Sequence, residues 1–409
     1  MNKETILKIL RISGYVANAL LALVTLMSAY GGMVNPGIST IPAILAMTFP
    51  LWLVLTVVFL IVALFVNRMM AIIPGMTILL CISPILSFCP LNLSRERLTA
   101  EEEARSFTFM SYNVYGLNDF RKDLPSPKDT TLLYKEVMNG RNNPTLAHII
   151  QQNADIVCMQ EFWWTLKPNH RVVSPALLDS IYAKYPYRVM GAGNGVLSKY
   201  PIYPVYLPKL NDPTAFHLAV VAEIQGHRTL IVSAHLQSIG LDSSDKALYH
   251  EITEGEGGRE AIAGAKRKLL SKLARAFRNR ATQTKLIRRQ IDSIGIDNVI
   301  IAGDFNDIPD CYALRQLARD DFKSAFSMAG CGPVVTYHAN RFYFQIDHIL
   351  YRGKLDAIGY RKDDFDRSDH YPIMARFLWS ETAPTVNRHL KGIDLINRQR
   401  EDSTSTGRL

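Results

Sequence analysis

Over its first 94 residues the chain carries only Lys3, Glu4, Lys8, Arg11 and Arg68 as charges, and that scarcity constrains its folding more than any other feature. Three apolar stretches fill the segment, at residues 13–34, 41–66 and 69–88. Each is close to the ~20 residues that a helix needs to cross the hydrocarbon of a bilayer. A cleaved signal peptide would account for the first stretch but not for the next two. A soluble bundle buried on every side is the alternative; three transmembrane helices is the reading adopted. Lys3, Lys8 and Arg11 precede the first span, and Arg68 lies in the turn between the second and third. The positive-inside rule then puts the N-terminus and Arg68 in the cytoplasm and everything after Cys89 on the extracytoplasmic side. Arg95 and Arg97, just past the last span, weigh the other way.

From Arg95 onward the charge density is that of a soluble domain. Residues 91–105, with the acidic triplet Glu101, Glu102 and Glu103, read as a polar linker, and residues 381–409 as a flexible polar tail. Between them short apolar runs at 107–113, 156–160, 187–190, 195–198, 219–224, 229–234, 298–302, 345–351 and 371–377 read as strands. Residues 145–153 and 258–294 read as helices. Many strands with few helices predict two packed sheets with helices outside them. No internal repeat is visible.

The five cysteines exclude a disulfide framework and a CxxC metal site; Cys311 and Cys331 are the one pair that could join in an oxidising compartment. The net charge of +9 favours an anionic partner. Much of it sits in the long helix, where Lys266, Arg267, Lys268, Lys272, Arg275, Arg278, Arg280, Lys285 and Arg288 face Glu260 as the only acid between residues 259 and 289. Ile262, Leu269, Leu270, Leu273, Phe277 and Ile287 form a rough apolar stripe on it. Such a helix either packs on a sheet with its basic face in water or presents a surface to phosphates.

The chemistry lies where strands end. VIIAGDFND releases Asp304 and Asn306 at the tip of a buried strand, and RSDHYPIMARF delivers Asp369 and His370 before entering another. SYNVYGL places Asn113, IVCMQEFW places Glu161, LIVSAHL places His235 and QIDHILY places Asp347 in the same way. Taken singly, an Asp or Asn after a strand is a turn or cap, and a strand-end His a hydrogen-bonded structural residue. Together they make a set of carboxylates, amides and imidazoles with no nucleophilic Ser or Cys. That inventory suits a hard, oxygen-preferring cation, with imidazoles to move protons. His170, His217, His250 and His338 have no such context and read as structural or exposed. Trp163 and Trp164 read as loop packing rather than a stacking or lipid-inserting platform.

These segments resemble, in order, the endonuclease/exonuclease/phosphatase superfamily, which includes deoxyribonuclease I-like nucleases, abasic-site endonucleases, inositol polyphosphate phosphatases and neutral sphingomyelinases. YNV, QE, GVLSKYPI, AHL, GDFND, IDHIL and SDHYPI carry the resemblance across residues 107–378. It implies an α/β (α+β) fold, a four-layer α/β sandwich of two mixed β-sheets flanked by helices, here at 106–380; the three-helix anchor read from the apolar stretches, at 1–90, precedes it. It implies Glu161 as the principal Mg²⁺ ligand, with Asn113 beside it and Asp369 supporting the metal region; Mn²⁺ is the substitute. His370 is implied as the base that takes a proton from the attacking water, and Asp347 as the carboxylate that orients it. Asp304 and Asn306 would position the nucleophile, and His235 would donate to the phosphate. No carboxylate partner for His235 is evident, Gln237 or an unplaced acid being the candidates. The expected activity is hydrolysis of a phosphodiester or phosphomonoester by a membrane-anchored enzyme. The substrate is a nucleic acid or a phospholipid headgroup, as in a sphingomyelin-type phosphodiesterase; the lipid bilayer is the other partner, and no protein partner is predicted. A catalytically inactive binding module at the membrane is the reading from a different class; loss of Glu161, Asp304 or His370 would have signalled it, and all three are present.

Overall fold

The computed structural model describes residues 3–92, 98–118, 143–163, 174–191, 193–208, 215–240, 259–319, 321–339 and 343–380. Arg95, Arg97, Trp164, His170, His250 and the tail at 381–409 lie outside them. The described residues form two compact units.

The first unit holds Met1–Cys89, Ile239–Thr284 and Ile308–Gln316. Helices α1 (Lys3–Ala29) and α3 (Phe49–Val66) flank the short α2 (Ile41–Met47). Among the described residues two helices, Glu4–Ala29 and Phe49–Val66, are long and apolar enough to cross a membrane. The third expected span is instead a pair, α4 (Ile72–Leu80) and α5 (Ile82–Phe88), bent by 59° at the break, and is a span only if the pair counts as one. Pro84 explains the bend: it has no N–H for the Leu80 carbonyl, and its ring crowds that group. The Tyr30 hydroxyl donates to the Leu80 carbonyl in its place. Polar contacts also join the apolar helices, Asn18 Nδ2 donating to the Met70 carbonyl at 2.8 Å and the Thr25 and Thr56 hydroxyls meeting at 2.8 Å.

The basic helix, Arg259–Ile294, enters this unit with its first part. The expected packing on a sheet is replaced there by packing on α2. Leu273 and Phe277 bury against Ala43, with Ile44, Met47, Ile239 and Leu269 around them. Gly32 lies so close to residue 310 that an added Cβ would come within 2.0 Å of the Asp310 carbonyl oxygen.

The second unit holds two six-stranded sheets. The strands are β1 (Ser106–Asn113), β2 (Ile156–Gln160), β3 (Tyr187–Gly191), β4 (Asn194–Ser198), β5 (Ile202–Val205), β6 (Phe216–Ile224), β7 (His227–His235), β8 (Asn298–Asp304), β9 (Lys323–Ser324), β10 (Asp347–Arg352), β11 (Leu355–Lys362) and β12 (Ile373–Trp379). The orders are β11-β12-β1-β2-β4-β3 and β5-β6-β7-β8-β10-β9. Alternate residues of β1 and β2 serve two cores. Phe107, Phe109, Ile156 and Cys158 meet Val220, Ile231, Ile300 and Ile349 of the other sheet. Met110, Tyr112, Val157 and Met159 face outward onto Leu146 and Ile149 of α7 (Pro144–Gln152) and Leu177 and Ile181 of α8 (Pro175–Lys184). The expected two mixed sheets flanked by helices are present.

Each sheet contains one parallel pair, β1 with β2 and β7 with β8, and the four central strands repeat one pattern. In both β12-β1-β2-β4 and β6-β7-β8-β10 the pairings run antiparallel, parallel, antiparallel. The repeat is one of backbone topology, which the side chains do not betray.

Within the 91–105 linker α6 (Ala100–Ala104) is capped by Thr99, whose hydroxyl accepts from Glu102 N while the Glu102 carboxylate accepts from Thr99 N. All five cysteines are free thiols, so Cys311 and Cys331 do not pair.

Candidate active site

The parallel pairs decide where the tips meet. β1 and β2 run together and end on Asn113 and Gln160, with Glu161 next; β7 and β8 do the same on His235 and Asp304, which are register partners. β10 is antiparallel to β8, so its first residue, Asp347, pairs with Asp304. β12 is antiparallel to β1, with Ile373 opposite Ser111, which brings His370 to the same end. Eight polar groups scattered over 258 positions thereby become neighbours.

Buried polar contacts tie the two sheets below the tips. Gln160 Nε2 donates to Ser233 Oγ at 3.0 Å, and Asn194 Nδ2 reaches the Ser233 carbonyl at 3.4 Å. Backbone strain sits at the tips themselves: Glu161 and Asn306 adopt φ of 53° and 51°, a region that costs non-glycine residues energy and concentrates at functional sites.

Asn113 Nδ2 lies at the centre, 3.1 Å from Asp304 Oδ2, 3.2 Å from Glu161 Oε1 and 3.5 Å from His370 Nε2. His235 Nε2 stands 3.5 Å from Asp304 Oδ2 and 3.7 Å from Glu161 Oε1. The carboxylates facing His235 are therefore Asp304 and Glu161, and its Nδ1 is buried without a hydrogen-bond partner among the described residues. His370 Nδ1 meets Asp347 Oδ2 at 2.8 Å, while its Nε2 stands 3.5 Å from Asp304 Oδ2. Asn306 N donates to Asp304 Oδ1 at 2.8 Å, and its side-chain amide donates to the Leu236 carbonyl. Asp369 takes a bond from the Ser368 hydroxyl at 3.3 Å.

The charges follow from this packing. Burial alone would raise Asp304, but His370 and His235 outweigh it and hold its carboxyl down at about 2. Burial would lower His370, yet Asp347 and Asp304 raise it well above the ordinary imidazole range. Burial raises Asp347, with Asp304 adding to it against His370. Burial likewise pushes Asp369 up to about 6, with the Glu161 and Asp304 charges adding to it. Asp304 is 2 % exposed and Glu161 30 %, so Glu161 is the carboxylate that faces an incoming ligand.

Among the described residues two groups bring acidic and imidazole ligand atoms within 4.8 Å of one another: Glu161, His235 and Asp304, and Asp304, Asp347 and His370. The donor chemistry fits a divalent cation. Glu161 Oε1 and Asp304 Oδ2 both stand within 3.7 Å of His235 Nε2 and offer the anionic oxygen donors that a hard cation prefers. Asp369 stands outside both groups and acts on them through its charge.

Reading strand ends alone missed the groups that hold the tips. Thr336 Oγ1 accepts from the Ile346 and Asp347 amides at 3.0 and 3.1 Å, fixing the start of β10. The Ser368 hydroxyl donates to the Asn113 carbonyl at 2.7 Å and accepts from His370 N, coupling SDH to YNV. The Ser of SDH was in view as a motif letter; nothing in the sequence pointed to Thr336. His217 is buried and pushed down to about 4 by that burial. His338 Nε2 meets the Ser368 carbonyl at 3.0 Å. Trp163 packs edge-on against Phe216, at 4.9 Å between ring centres.

A family model described as "Endonuclease/Exonuclease/phosphatase family" matches residues 110–370, more than half of the chain. Another, described as "Domain of unknown function (DUF8431)", matches residues 8–88. No curated protein matches the chain. Among solved structures it is similar to truncated TDP2 of Caenorhabditis elegans, at 18% identity and a TM-score of 0.41, over 67% of this chain and 98% of that one. It is also similar to an endonuclease/exonuclease/phosphatase from Beutenbergia cavernae, at 17% identity and a TM-score of 0.42, over 69% and 73%. With YNV, QE, AHL, GDFND, IDHIL and SDH gathered at one end of two mixed sheets, and the family match running through all of them, the chain belongs to the endonuclease/exonuclease/phosphatase family.

Proposed function

We propose that the chain is a membrane-anchored, divalent-metal-dependent phosphoesterase that hydrolyses phosphodiester bonds on the extracytoplasmic side of its membrane. One observation carries the reading: Glu161, His235, Asp304 and the His370–Asp347 pair converge at one end of both parallel strand pairs. A phosphodiester is an anion that repels an attacking hydroxide, so the site must offset charge and aim a water together. Glu161 would hold the cation, with Asn113 beside it and Asp369 supporting; bound there, Mg²⁺, or Mn²⁺ in its place, supplies Lewis-acid charge to the phosphoryl group. Asp304 stays ionised at neutral pH and, with Asn306, orients the water. His370, in its neutral form, takes the proton at Nε2 while Asp347 holds the proton on Nδ1. His235 donates from Nε2 to a phosphate oxygen as its charge builds.

Three crossings are supported by a contact inside the first unit. Residues 32–47, between α1 and α3, touch residues 269–277 and 310. Residues on both sides of that contact share one face of a membrane, so the chain crosses an even number of times between Met47 and Leu269. α3 and the bent α4–α5 pair make that two, and α1 makes three.

The test is hydrolysis of bis-p-nitrophenyl phosphate by the full chain in detergent, with Mg²⁺ and with a chelator. Turnover with Mg²⁺ that the chelator abolishes is expected, along with a loss of roughly 10²–10³ in rate for Glu161→Gln. A folded protein inert in both conditions would overturn the reading. Plasmid DNA against phospholipid vesicles then separates a nuclease from a lipid phosphodiesterase.

A further inference from the structure

The basic helix is not absorbed by the reaction. Its first part belongs to the same unit as the apolar helices, and its apolar stripe is seated on the head of the α1–α3 hairpin through Leu273, Phe277 and Ala43. At 100° per residue, Arg267, Arg275 and Arg278 fall within one arc of about 80°, away from that seat. All three are exposed. The head itself leaves large apolar side chains uncovered: Met33 is 57 % exposed, Ile38 83 % and Ile41 66 %. Leu270 on the helix is 47 % exposed. Leu270 falls about 60° from Arg267 round the helix, so a cationic face adjoins a bare apolar side chain on an element seated against helices long enough to span a bilayer, the composition of an interfacial element. Such elements dip apolar groups below the headgroups and set cations among phosphates.

We propose that residues 266–278 lie on the bilayer surface and that Arg267, Arg275 and Arg278 bind the headgroup phosphates of anionic phospholipids. This rests on the reading that α1 and α3 cross the membrane, and it concerns lipids that are bound, not hydrolysed. Headgroup attraction is worth about a factor of five per cation near an anionic surface, so three together shift the helix decisively toward the bound state.

The experiment reconstitutes the full chain into nanodiscs of phosphatidylcholine alone, or with phosphatidylglycerol at about a third of the lipid, a composition that gives a strongly anionic surface. Hydrogen exchange is followed at the amides of residues 264–282. Exchange slowed at least about threefold by the anionic lipid is expected. The slowing should vanish in molar salt, where the Debye length falls to about 3 Å. It should also vanish in R267Q/R275Q/R278Q, with hydrolysis of bis-p-nitrophenyl phosphate unchanged. Equal exchange in both discs, or protection that survives the triple substitution, overturns this inference alone. A chain extracted from membranes by alkaline carbonate overturns it together with the anchor.

Discussion

Asp347→Asn probes the site with the least disturbance of anything else. Asp347 Oδ2 accepts from His370 Nδ1 at 2.8 Å, with both side chains at most 4 % exposed. Asparagine has the same shape, and the backbone amide that holds residue 347 on Thr336 is untouched. What goes is one buried charge and the ionic character of one hydrogen bond. A charge-assisted bond contributes roughly 1.5–3 kcal/mol, which at 1.36 kcal/mol per decade is a fall in kcat of about 10- to 150-fold. If the new amide also turns the imidazole into the wrong tautomer, the loss can approach ~10⁴. The pH profile gives an independent readout. Asp347 raises the proton affinity of His370, and only the neutral imidazole can act as base, so kcat should climb as pH rises through that raised value. Removing the carboxylate lowers it, so the climb moves to lower pH even as the plateau drops. The assay is bis-p-nitrophenyl phosphate turnover against pH, with circular dichroism to establish folding. A folded variant with the same kcat and an unmoved profile would refute the role given to the pair.

Other perturbations follow from the same geometry. Gly303 has φ of +147°, and a Cβ there would stand 1.9 Å from the Ala234 carbonyl oxygen, so Gly303→Ala must part β7 from β8. A loss of at least about 3 kcal/mol, seen as a collapse of the thermal transition, is expected, since neither the strain nor the overlap can relax. His217, pushed from 6.5 down to about 4, stays neutral in the folded chain while the unfolded chain takes up a proton. Its contribution is whole above about pH 6.5, declines as pH falls toward about 4, and amounts to at most about 3 kcal/mol. His217→Leu should flatten the dependence of melting temperature on pH in that window; an unchanged slope would rule His217 out as its source. A phosphatase reporter fused after Arg408 should be active only outside the cytoplasm, and activity in the cytoplasm would reverse the orientation.

Much of the second unit was legible in order. Strands that run through the middle of a sheet are buried on both faces, so β1, β2, β7, β8 and β10 stand out as apolar runs. The strands that escaped notice, β5, β9 and β11, are edges. Half-exposed edges need no apolar run, and β5 even carries Pro204, which an edge tolerates. The helix Pro175–Lys184 was missed although its start was signalled, with Ser174 accepting from Leu177 N and Pro175 in the first turn. The bend between α4 and α5 follows from Pro84, a residue present in the sequence that apolar length alone did not weigh.

The sequence by itself determined which chemical groups the chain owns and on which strand ends they stand, because alternation and apolar runs are local properties of the backbone. It also determined the apolar segment, since about twenty residues without charge have few other solvents. Only the tertiary structure decided that Glu161 and Asp304, 143 positions apart, share one imidazole, that Thr336 and Ser368 hold the tips, and that the basic helix leans on the apolar hairpin. Those contacts join residues distant in sequence. What creates them is the topology of the parallel pairs and the burial of the helix's stripe, which no local pattern encodes.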